Sequence, residues 1–337
     1  MFYFKNDYSE GCHPRILDAL TCTNLEQTVG YGLDEHCANA AALIKKAIGC
    51  PSADVHFLVG GTQTNLTAVS AFLRSHHCVL AAATGHVNVH ETGAIEATGH
   101  KVVTRPTPDG KLTPALVQDM VDEHTDEHMV KPALVYISQS TELGSVYTKG
   151  ELEELHACCR KNGLLLYIDG ARLACALTSP ACDVTLADLP DLCDAFYIGG
   201  TKNGMLFGEA MVIVNDTLKE DFRFLIKQHG GMLAKGRLLG IQFEEQFRDG
   251  LYLELGAHAN RCAQRLQEGL EERGYPLFQH SPTNLVFPIL TPEQLERIST
   301  LALFEPWAHL PDGRTAIRLV TSWATDPQTV EAFLAAL

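Results

Sequence analysis

The chain has 337 residues, of which 46% are hydrophobic and 20% are charged, ordinary proportions for a globular protein with one large and one smaller domain. Its net charge of −15, with no basic run, argues against a nucleic-acid partner. No apolar stretch is long enough to cross a membrane or to serve as an N-terminal secretory signal, so we expect a cytoplasmic protein whose 11 cysteines are reduced.

Predicted strands and helices alternate along most of the chain. After an arm at residues 1–30, which leads into a helix near Arg15–Leu20, the predicted strands are Val55–Val59, Val79–Ala82, Lys101–Thr104, Ala133–Ser138, Leu164–Asp169, Ala195–Ile198 and Glu209–Val214. The predicted helices between them are Ala38–Ile48, Asn65–Arg74, His86–Ala97, Thr113–Glu123 and Lys149–Lys161. This alternation predicts a large α/β domain over residues 31–245, built on a mostly parallel sheet with right-handed crossovers.

The remaining residues, 246–337, have a different pattern. The sequence is largely helical up to about residue 274, and it is then predicted to form strands near Leu285–Pro288 and Ala316–Val320, with helices near Pro292–Thr300 and Pro327–Leu337. We therefore predict a small α+β domain at the C-terminus.

Two glycines, Gly60 and Gly61, lie between the strand Val55–Val59 and the helix that follows it. A strand, glycines and a helix in this order direct free backbone N–H groups at an anion. Thr62 and Thr64 add hydroxyl donors. We predict a phosphate site here, and the structural alternative is a helix that is simply capped after a tight turn.

Lys202 follows the strand Ala195–Ile198 and the glycines Gly199 and Gly200. A lysine at the end of a buried strand loses part of its hydration, which lowers its pKa and makes the amine nucleophilic. Such an amine forms Schiff bases with carbonyl groups, including that of pyridoxal phosphate. A solvated loop lysine is the alternative.

Asp169 ends another buried strand, Leu164–Asp169, and Arg172 follows three residues later. A carboxylate at this edge of an open α/β sheet lies where a ligand ring binds, and it can keep the pyridine nitrogen of pyridoxal phosphate protonated. The planar fork of Arg172 suits a carboxylate or a phenolate oxygen. The aspartate and the lysine together favour this cofactor over a plain helix cap at Asp169.

Taken together, these segments resemble the threonine aldolase and β-eliminating lyase family, pyridoxal-phosphate enzymes of the aspartate-aminotransferase fold. In family order, the matching pieces are Tyr31-Gly32, Gly60 to Asn65, His86 with Glu91 and Gly93, Asp169 to Arg172, Lys202 and Arg318 to Thr321. The resemblance implies a fold type I large domain with a mostly parallel seven-stranded sheet, a small C-terminal α+β domain, and pyridoxal 5′-phosphate as the cofactor.

The resemblance also implies roles for individual residues. Lys202 would hold the cofactor, Asp169 would pair with its ring nitrogen, and His86 would pack against the ring. The residues implied to bind the cofactor are Gly61, Thr62, Gln63, His86, Asp169, Arg172, Thr201 and Lys202. The residues implied to bind the substrate are Asn6, Arg172 and Arg318, and an arginine inside an apolar strand, such as Arg318, is costly to bury unpaired.

The histidine-rich segment that begins at His86 has further candidates. In helical geometry His86 and His90 share a face, and Glu91 can cap the turn or hold a neighbouring group, for which we expect a structural role. The 15 histidines of the chain do not form a convincing ligand set, so no metal site is predicted.

Two segments depart from the family pattern. Typical members have a histidine facing the substrate's β-hydroxyl, and this chain has Glu142 there, within Gln139-Ser140-Thr141-Glu142-Leu143. The arm has Asn6-Asp7-Tyr8-Ser9 where the family usually has Arg-Ser-Asp-Thr. Both positions concern the substrate, so the sequence identifies the cofactor more closely than it identifies the substrate side chain that is cleaved.

The resemblance predicts cleavage of a β-hydroxy amino acid, L-threonine or L-allo-threonine, to glycine and an aldehyde. Glu142, His90 or a water molecule would take the β-hydroxyl proton. The alternatives are a pyridoxal-phosphate-dependent β-eliminating lyase or racemase and a non-catalytic pyridoxal-phosphate-binding protein. A homodimer or homotetramer is expected, with Gly30-Tyr31-Gly32 and Lys227 reaching across the interface.

Overall fold

The computed structural model describes residues 1–337. Its strands are β1 (Phe2–Tyr3), β2 (Asp54–Leu58), β3 (His77–Ala82), β4 (Lys101–Arg105), β5 (Lys131–Ser138), β6 (Leu165–Asp169), β7 (Ala195–Gly199), β8 (Glu209–Ile213), β9 (Leu277–Gln279), β10 (Leu285–Leu290), β11 (Ala302–Leu303), β12 (Glu305–His309) and β13 (Thr315–Val320).

The helices lie between these strands and at the chain's C-terminus. They are α1 (Pro14–Cys22), α2 (Glu35–Ala47), α3 (Gly61–Phe72), α4 (His86–Val89), α5 (Ala94–Ala97), α6 (Pro114–Asp122), α7 (Lys149–Lys161), α8 (Leu173–Leu177), α9 (Leu189–Leu192), α10 (Phe222–Gln228), α11 (Arg237–Arg248), α12 (Leu251–Glu272), α13 (Pro292–Leu301) and α14 (Pro327–Ala336). None of them has the length and apolar composition needed to cross a membrane.

A seven-stranded sheet in the order β2-β8-β7-β6-β5-β3-β4 forms the centre of the large domain. Only β8 runs against its neighbours, β2 and β7, and the other pairs are parallel. The mostly parallel seven-stranded sheet expected from the resemblance is therefore confirmed. Because parallel strands end at the same edge, β6 and β7 bring Asp169 and the segment after Gly199 to one place.

The central strands are buried on both faces, which explains why they are nearly continuous apolar runs in the sequence. In β5, Leu134 and Tyr136 pack into the hydrophobic core on one face of the sheet, and Val135 and Ile137 pack into the core on the other. Such a sheet is rigid, and its carboxyl edge is therefore a stable platform for a site.

The small domain is built on an antiparallel sheet in the order β12-β13-β10-β9. Helix α12, 22 residues long, packs against α8 of the large domain and against α14 and β10 of the small domain. The start of the arm forms a short strand, because β1 pairs in parallel with β11 of the small domain. The predicted boundary at residue 246 lies within the last turn of α11, and α12, which follows it, contacts both domains.

The predicted helix His86–Ala97 is wrong, because the structure has two short helices, α4 and α5, in its place. The chain turns between them, where Thr92 and Gly93 have φ angles of 53° and 69°. Both angles are in the left-handed region, which ends a right-handed helix. The break brings Glu91 back towards His86 instead of leaving it on a helix surface.

Candidate active site

A cavity of about 550 Å³ opens at the carboxyl edge of the central sheet. Its lining is mostly polar and consists of Tyr8, Val59, Gly60, Gly61, Thr62, His86, His90, Ser138, Ser140, Glu142, Asp169, Ala171, Arg172, Tyr197, Thr201, Lys202, Glu209 and Arg318. The structure thus brings together the predicted site residues of both domains, except Asn6, Gln63 and Thr64, whose side chains are described below.

Lys202 lies in a tight turn that follows β7. The turn is closed by backbone hydrogen bonds from the N–H groups of Asn203 and Met205 to the carbonyl of Gly200, at 2.9 and 3.2 Å. Burial, and then the nearby Arg172, lowers the pKa of the Lys202 amine. A lysine with a lowered pKa has a larger fraction of free amine, which is the nucleophilic form.

Asp169 is 3% exposed and accepts hydrogen bonds on both carboxylate oxygens. Its Oδ1 accepts from the Tyr197 hydroxyl, and its Oδ2 accepts from the Tyr136 hydroxyl and from Asn65 Nδ2, the latter at 3.0 Å. Burial alone would raise the pKa of Asp169, but His86 and these three donors hold it below its ordinary value. The site therefore contains a buried carboxylate that stays ionised.

The sequence analysis did not identify the two tyrosines. Tyr136 and Tyr197 lie inside apolar strands, where an aromatic residue is most often part of the core. The only available signal was that a tyrosine hydroxyl group buried in a strand needs a hydrogen-bond acceptor, and both tyrosines lie in strands next to the one that carries Asp169.

Helix α3 begins at Gly61, with Gly60 as its N-cap, at the predicted phosphate site. The N–H groups of Gly61, Thr62 and Gln63 precede the first helical hydrogen bond, which runs from Thr64 N to Gly60 O at 3.0 Å. They are therefore free to bind an anion. A Cβ atom at position 61 would lie 3.1 Å from the Tyr197 hydroxyl, so a glycine lets this hydroxyl lie close to the start of the helix.

Two side chains near this helix do not have the expected positions. The Thr64 hydroxyl donates to Gly60 O at 3.0 Å and is buried, so the prediction that Thr64 supplies a phosphate donor is wrong. The Gln63 side chain lies outside the cavity lining and donates to His229 O at 3.3 Å. Of the polar groups of Gln63, only the backbone N–H at the start of α3 remains free for an anion.

His86 is held by a chain of polar contacts that ends at Asp169. Its Nδ1 lies 2.7 Å from Glu91 Oε1, and Asn65 Nδ2 donates both to that oxygen, at 2.7 Å, and to Asp169 Oδ2. Glu91 is 4% exposed. The expectation that Glu91 holds a neighbouring group is confirmed, and the contact fixes the orientation of the His86 ring beside the cavity.

Arg172 is paired with an acid from the N-terminal arm. Its Nε and Nη2 atoms donate to Asp7 Oδ2 and Oδ1 at 2.6 and 3.0 Å, and Asn284 Nδ2 donates to Asp7 Oδ2 at 2.9 Å. Although burial opposes it, the ion pair with Asp7 raises the pKa of Arg172. Arg172 remains a charged group that lines the cavity, but much of its hydrogen-bonding fork is occupied.

Arg318, on β13, has no carboxylate partner. Its guanidinium group lies over the Trp307 ring at 5.5 Å from the centroid, and its Nε is buried without a hydrogen bond. Burial, followed by the charge of Arg172, lowers the pKa of Arg318. A half-buried cation without an acidic partner, at the wall of a cavity, attracts an anionic ligand group strongly.

Asn6 is not brought to the cavity. Its Oδ1 accepts hydrogen bonds from Tyr8 N at 3.1 Å and from Ser9 Oγ at 2.6 Å, which closes a turn in the arm. The arm residues at the site are Asp7, through Arg172, and Tyr8, which lines the cavity. The substrate role predicted for Asn6 therefore has no geometric basis in this chain.

Glu142 lies in the cavity wall next to His86. Its Oε1 accepts hydrogen bonds from His86 N at 3.0 Å and from Ser138 Oγ at 2.7 Å. Burial raises the pKa of Glu142. The other candidate base, His90, has its ring centroid 5.4 Å from that of His86, and burial lowers the pKa of His90.

Glu209 also lines the cavity, and the sequence analysis missed it. It begins β8 and is 4% exposed. Its Oε1 accepts from Thr201 Oγ1 at 2.9 Å, and its Oε2 accepts from Gly200 N at 3.2 Å. A single acid at the start of an otherwise apolar strand was the available signal, because a buried carboxyl group needs a specific reason.

Comparisons with known proteins agree with this geometry. The family model for β-eliminating lyases matches residues 10–292. The low specificity L-threonine aldolase of Pseudomonas sp. (strain NCIMB 10558) is 34% identical over 336 residues, which cover 98% of this chain and 96% of that protein. The solved structure of Leishmania major threonine aldolase is 52% identical, with a TM-score of 0.98 over 99% of this chain and 98% of that one.

At a greater distance, an aspartate aminotransferase mutant of Thermus thermophilus superposes with a TM-score of 0.74 over 100% of this chain and 90% of that one. Its sequence is only 15% identical, so the similarity concerns the fold alone. It confirms the fold type I architecture.

Proposed function

Because the chain belongs to the β-eliminating lyase family, we propose that it is a pyridoxal-5′-phosphate-dependent lyase that cleaves the Cα–Cβ bond of L-threonine or L-allo-threonine. The products are glycine and an aldehyde. The observation that carries the proposal is the placement of Lys202, Asp169 and Arg318 around one cavity. They supply an amine for the cofactor aldehyde, a carboxylate for its ring nitrogen and a cation for the substrate carboxylate.

The residues around the cavity suit this cofactor. The free N–H groups at the start of α3 would hold the phosphate. Asp169 would pair with the ring nitrogen, and His86 would pack against the ring. When bound, pyridoxal phosphate acts as an electron sink for the carbon left after bond cleavage.

The protein's own residues prepare the substrate for this chemistry. Arg318 binds the carboxylate of the amino acid, and the paired Arg172 adds positive charge beside it. These groups would hold the substrate carboxylate and so orient the Cα–Cβ bond for cleavage, and the lowered pKa of Lys202 keeps its amine available.

The bond cleaves when a base removes the proton of the β-hydroxyl group. Glu142 is our first candidate, because its Oε1 is fixed by His86 N and Ser138 Oγ, while neither of these donors contacts its Oε2. A base works only when ionised, and burial raises the pKa of Glu142. Activity should therefore rise with pH as Glu142 loses its proton, and the rise should occur at a higher pH than for an ordinary glutamate.

Replacing Glu142 with glutamine is expected to lower kcat for threonine cleavage by at least about a hundredfold, the lower range for a general base. Glutamine has nearly the same shape and can still accept from Ser138, but it cannot take a proton. The measurement is steady-state cleavage across pH, together with the cofactor content of the purified variant.

Ser138→Ala is the matched control, because it removes one donor to Glu142 and leaves the carboxyl group in place. It should lose far less activity than Glu142→Gln. Undiminished cleavage by Glu142→Gln, with normal cofactor content, would move the base to His90 or to a water molecule.

The function itself is tested by incubating the purified protein with a panel of β-hydroxy amino acids and measuring released aldehyde. We expect acetaldehyde and glycine from L-threonine or L-allo-threonine. Pyruvate from a β-substituted alanine, or loss of optical activity without cleavage, would instead indicate a β-eliminating lyase or a racemase. Binding of the cofactor without any turnover would indicate a carrier, which has no need of the unpaired Arg318.

We further propose that the protein is a homodimer or homotetramer. The segment after α1 carries apolar side chains that one chain leaves exposed: Leu25 is 90% exposed, and Val29 and Leu33 are each 64% exposed. Tyr31, in the same segment, lies under the Lys227 amine at 4.7 Å from the ring centroid. Burial of this segment by a second chain removes apolar surface from water.

Light scattering of the purified protein is expected to give the mass of two or four chains. Leu25→Asp, which places a charge at the most exposed of these side chains, should shift the distribution towards the monomer and lower activity with it. A fully active monomer would contradict the proposal.

A further inference from the structure

Two arginines line the cavity, and they differ in what is left of them for a ligand. Arg318 has no carboxylate partner, and under the proposed function it binds the α-carboxylate of the substrate. Arg172 is bonded through Nε and Nη2 to the two carboxylate oxygens of Asp7, at 2.6 and 3.0 Å. A carboxylate of a ligand would bind this side of Arg172 in the same way, so Asp7 already occupies the place of a second one.

The other cationic groups of the lining do not offer a second carboxylate site. Lys202 is reserved for the cofactor. The Nδ1 atom of His86 is already bonded to an acid, because it lies 2.7 Å from Glu91 Oε1. Burial lowers the pKa of His90, so its ring is mostly neutral at neutral pH. Arg318 is therefore the one cation of the cavity that remains for a ligand.

Asp7 is held against Arg172 as an ionised carboxylate. Its side chain is 1% exposed, and its Oδ2 also accepts a hydrogen bond from Asn284 Nδ2 at 2.9 Å. Although burial opposes ionisation, the charge of Arg172 and these donors hold the pKa of Asp7 below its ordinary value. A ligand carboxylate would have to displace a charged group that already has all these partners.

The arm is fastened on both sides of Asp7 by contacts that do not involve its side chain. Phe4 is buried in the core of the small domain, and its carbonyl accepts from Val320 N at 2.8 Å. His13 N donates to Gly204 O, in the turn that carries the cofactor lysine, at 2.8 Å. The backbone of the arm should therefore keep its place when the Asp7 side chain is replaced.

We propose that Asp7 is a specificity-determining residue: its carboxylate occupies Arg172 in place of a second ligand carboxylate, so the site accepts amino acids whose side chain carries no negative charge. The inference rests on the carboxylate site assigned to Arg318 under the proposed function, and it goes further by naming the residue that excludes acidic substrates. L-threonine and L-allo-threonine belong to the accepted class. A β-hydroxy amino acid with a carboxylate on its Cβ atom does not.

The experiment measures binding to the protein isolated with its cofactor. Dissociation constants of L-alanine and L-aspartate are determined by isothermal titration calorimetry. These amino acids differ only by the side-chain carboxylate, and neither has the β-hydroxyl group that aldol cleavage requires. The wild type should bind L-alanine at least about tenfold more tightly, because L-aspartate brings a second negative charge for which no cation is free. Any change that affects both ligands alike cancels in the ratio of the two constants.

Two variants test whether Asp7 is responsible. Asp7→Asn has nearly the same shape without the charge, and Asp7→Ala also leaves space beside Arg172. Each should raise the affinity for L-aspartate relative to L-alanine by at least about tenfold, the lower end of what a hydrogen bond to a charged group contributes. Asp7→Ala should give the larger shift, because it frees both donors of Arg172.

Glu10→Gln is the matched control. It removes an acid of the same arm, whose Oε2 accepts from Ser322 Oγ at 3.4 Å and which lies outside the cavity lining. This variant should retain the wild-type ratio. A shift as large as that of Asp7→Asn would show a general effect of charge on the arm and would contradict a specific role for Asp7.

A wild-type protein that binds L-aspartate as tightly as L-alanine overturns the proposal, and this outcome needs no variant to fold. A ratio that stays at the wild-type value in the Asp7 variants overturns it as well. The aldehyde assay is separate, so a protein with the expected ratios that cleaves no β-hydroxy amino acid would contradict the proposed reaction and leave the role of Asp7 supported. A protein that binds neither ligand would contradict the amino-acid site, and with it both proposals.

Discussion

Lys202→Ala is expected to abolish the covalent attachment of pyridoxal phosphate and to reduce cleavage of threonine by roughly 10⁴-fold or more, the scale on which loss of a catalytic nucleophile acts. Lys202 is the only lysine that lines the cavity, so no other amine can replace it. The surroundings of Lys202 lower the pKa of its amine, and alanine has no amine to take its place. The measurement combines steady-state kinetics with borohydride reduction and peptide mass spectrometry.

In the wild type, reduction should fix the cofactor on the peptide that contains Lys202, and the variant should carry none. Lys149→Ala is a suitable control, because that lysine pairs with Asp188 at 2.7 Å on helix α7, outside the cavity lining. It should keep full labelling and activity. Labelling of any other lysine in the wild type would end the assignment of Lys202.

The strands that carry the site could be predicted from the sequence almost to the residue. Strand β6 was expected over Leu164–Asp169 and spans Leu165–Asp169, and β7 was expected over Ala195–Ile198 and spans Ala195–Gly199. Both are buried on two faces, so their sequences are unbroken apolar runs that stop where the sheet ends. The residue that follows such a run lies at the carboxyl edge, and Asp169 and Lys202 were located in this way.

The short strands of the small domain and the arm could not be predicted. Strands β1 and β11 have two residues each, and their pairing joins Phe2 to Ala302 across nearly the whole chain. Two residues have no periodicity to detect, and such a strand exists only because of its distant partner. The same applies to the end of α4 at Val89, after which Glu91 reaches His86.

The missed site residues are those that act through a partner far away in sequence. Asp7 and Arg172 are separated by 165 positions, and Asn65 and Asp169 by 104. Sequence reasoning identified Arg172 and Asp169 from their neighbours in the chain. It had no means of finding their distant partners. It selected Asn6 from the arm by resemblance, whereas the chain places the neighbouring Asp7 against the arginine.

These contacts make Asp169 the second residue whose replacement should have a large effect. Asp169→Asn is expected to keep the cofactor bound and to lower kcat for threonine cleavage by about 10³-fold, the upper range for loss of one preorganised electrostatic contact. Asparagine has the same shape, and the Tyr136 and Tyr197 hydroxyls can rotate to accept from its amide. It lacks the negative charge that keeps the pyridine nitrogen protonated.

The measurement is kcat together with the bound cofactor per chain, determined by absorbance after release in alkali. Tyr136→Phe is the matched control, because it removes one hydrogen bond to Asp169 Oδ2 and leaves the carboxylate and its Tyr197 contact in place. Since several groups hold the pKa of Asp169 below its ordinary value, loss of one of them should leave the carboxylate ionised at neutral pH and cost far less activity. If Asp169→Asn turned over threonine at a near wild-type rate, another carboxylate would have to serve the ring nitrogen. Glu142 and Glu209 are the other acids that line this cavity, and in this chain their pKa values are raised, so neither is a ready substitute.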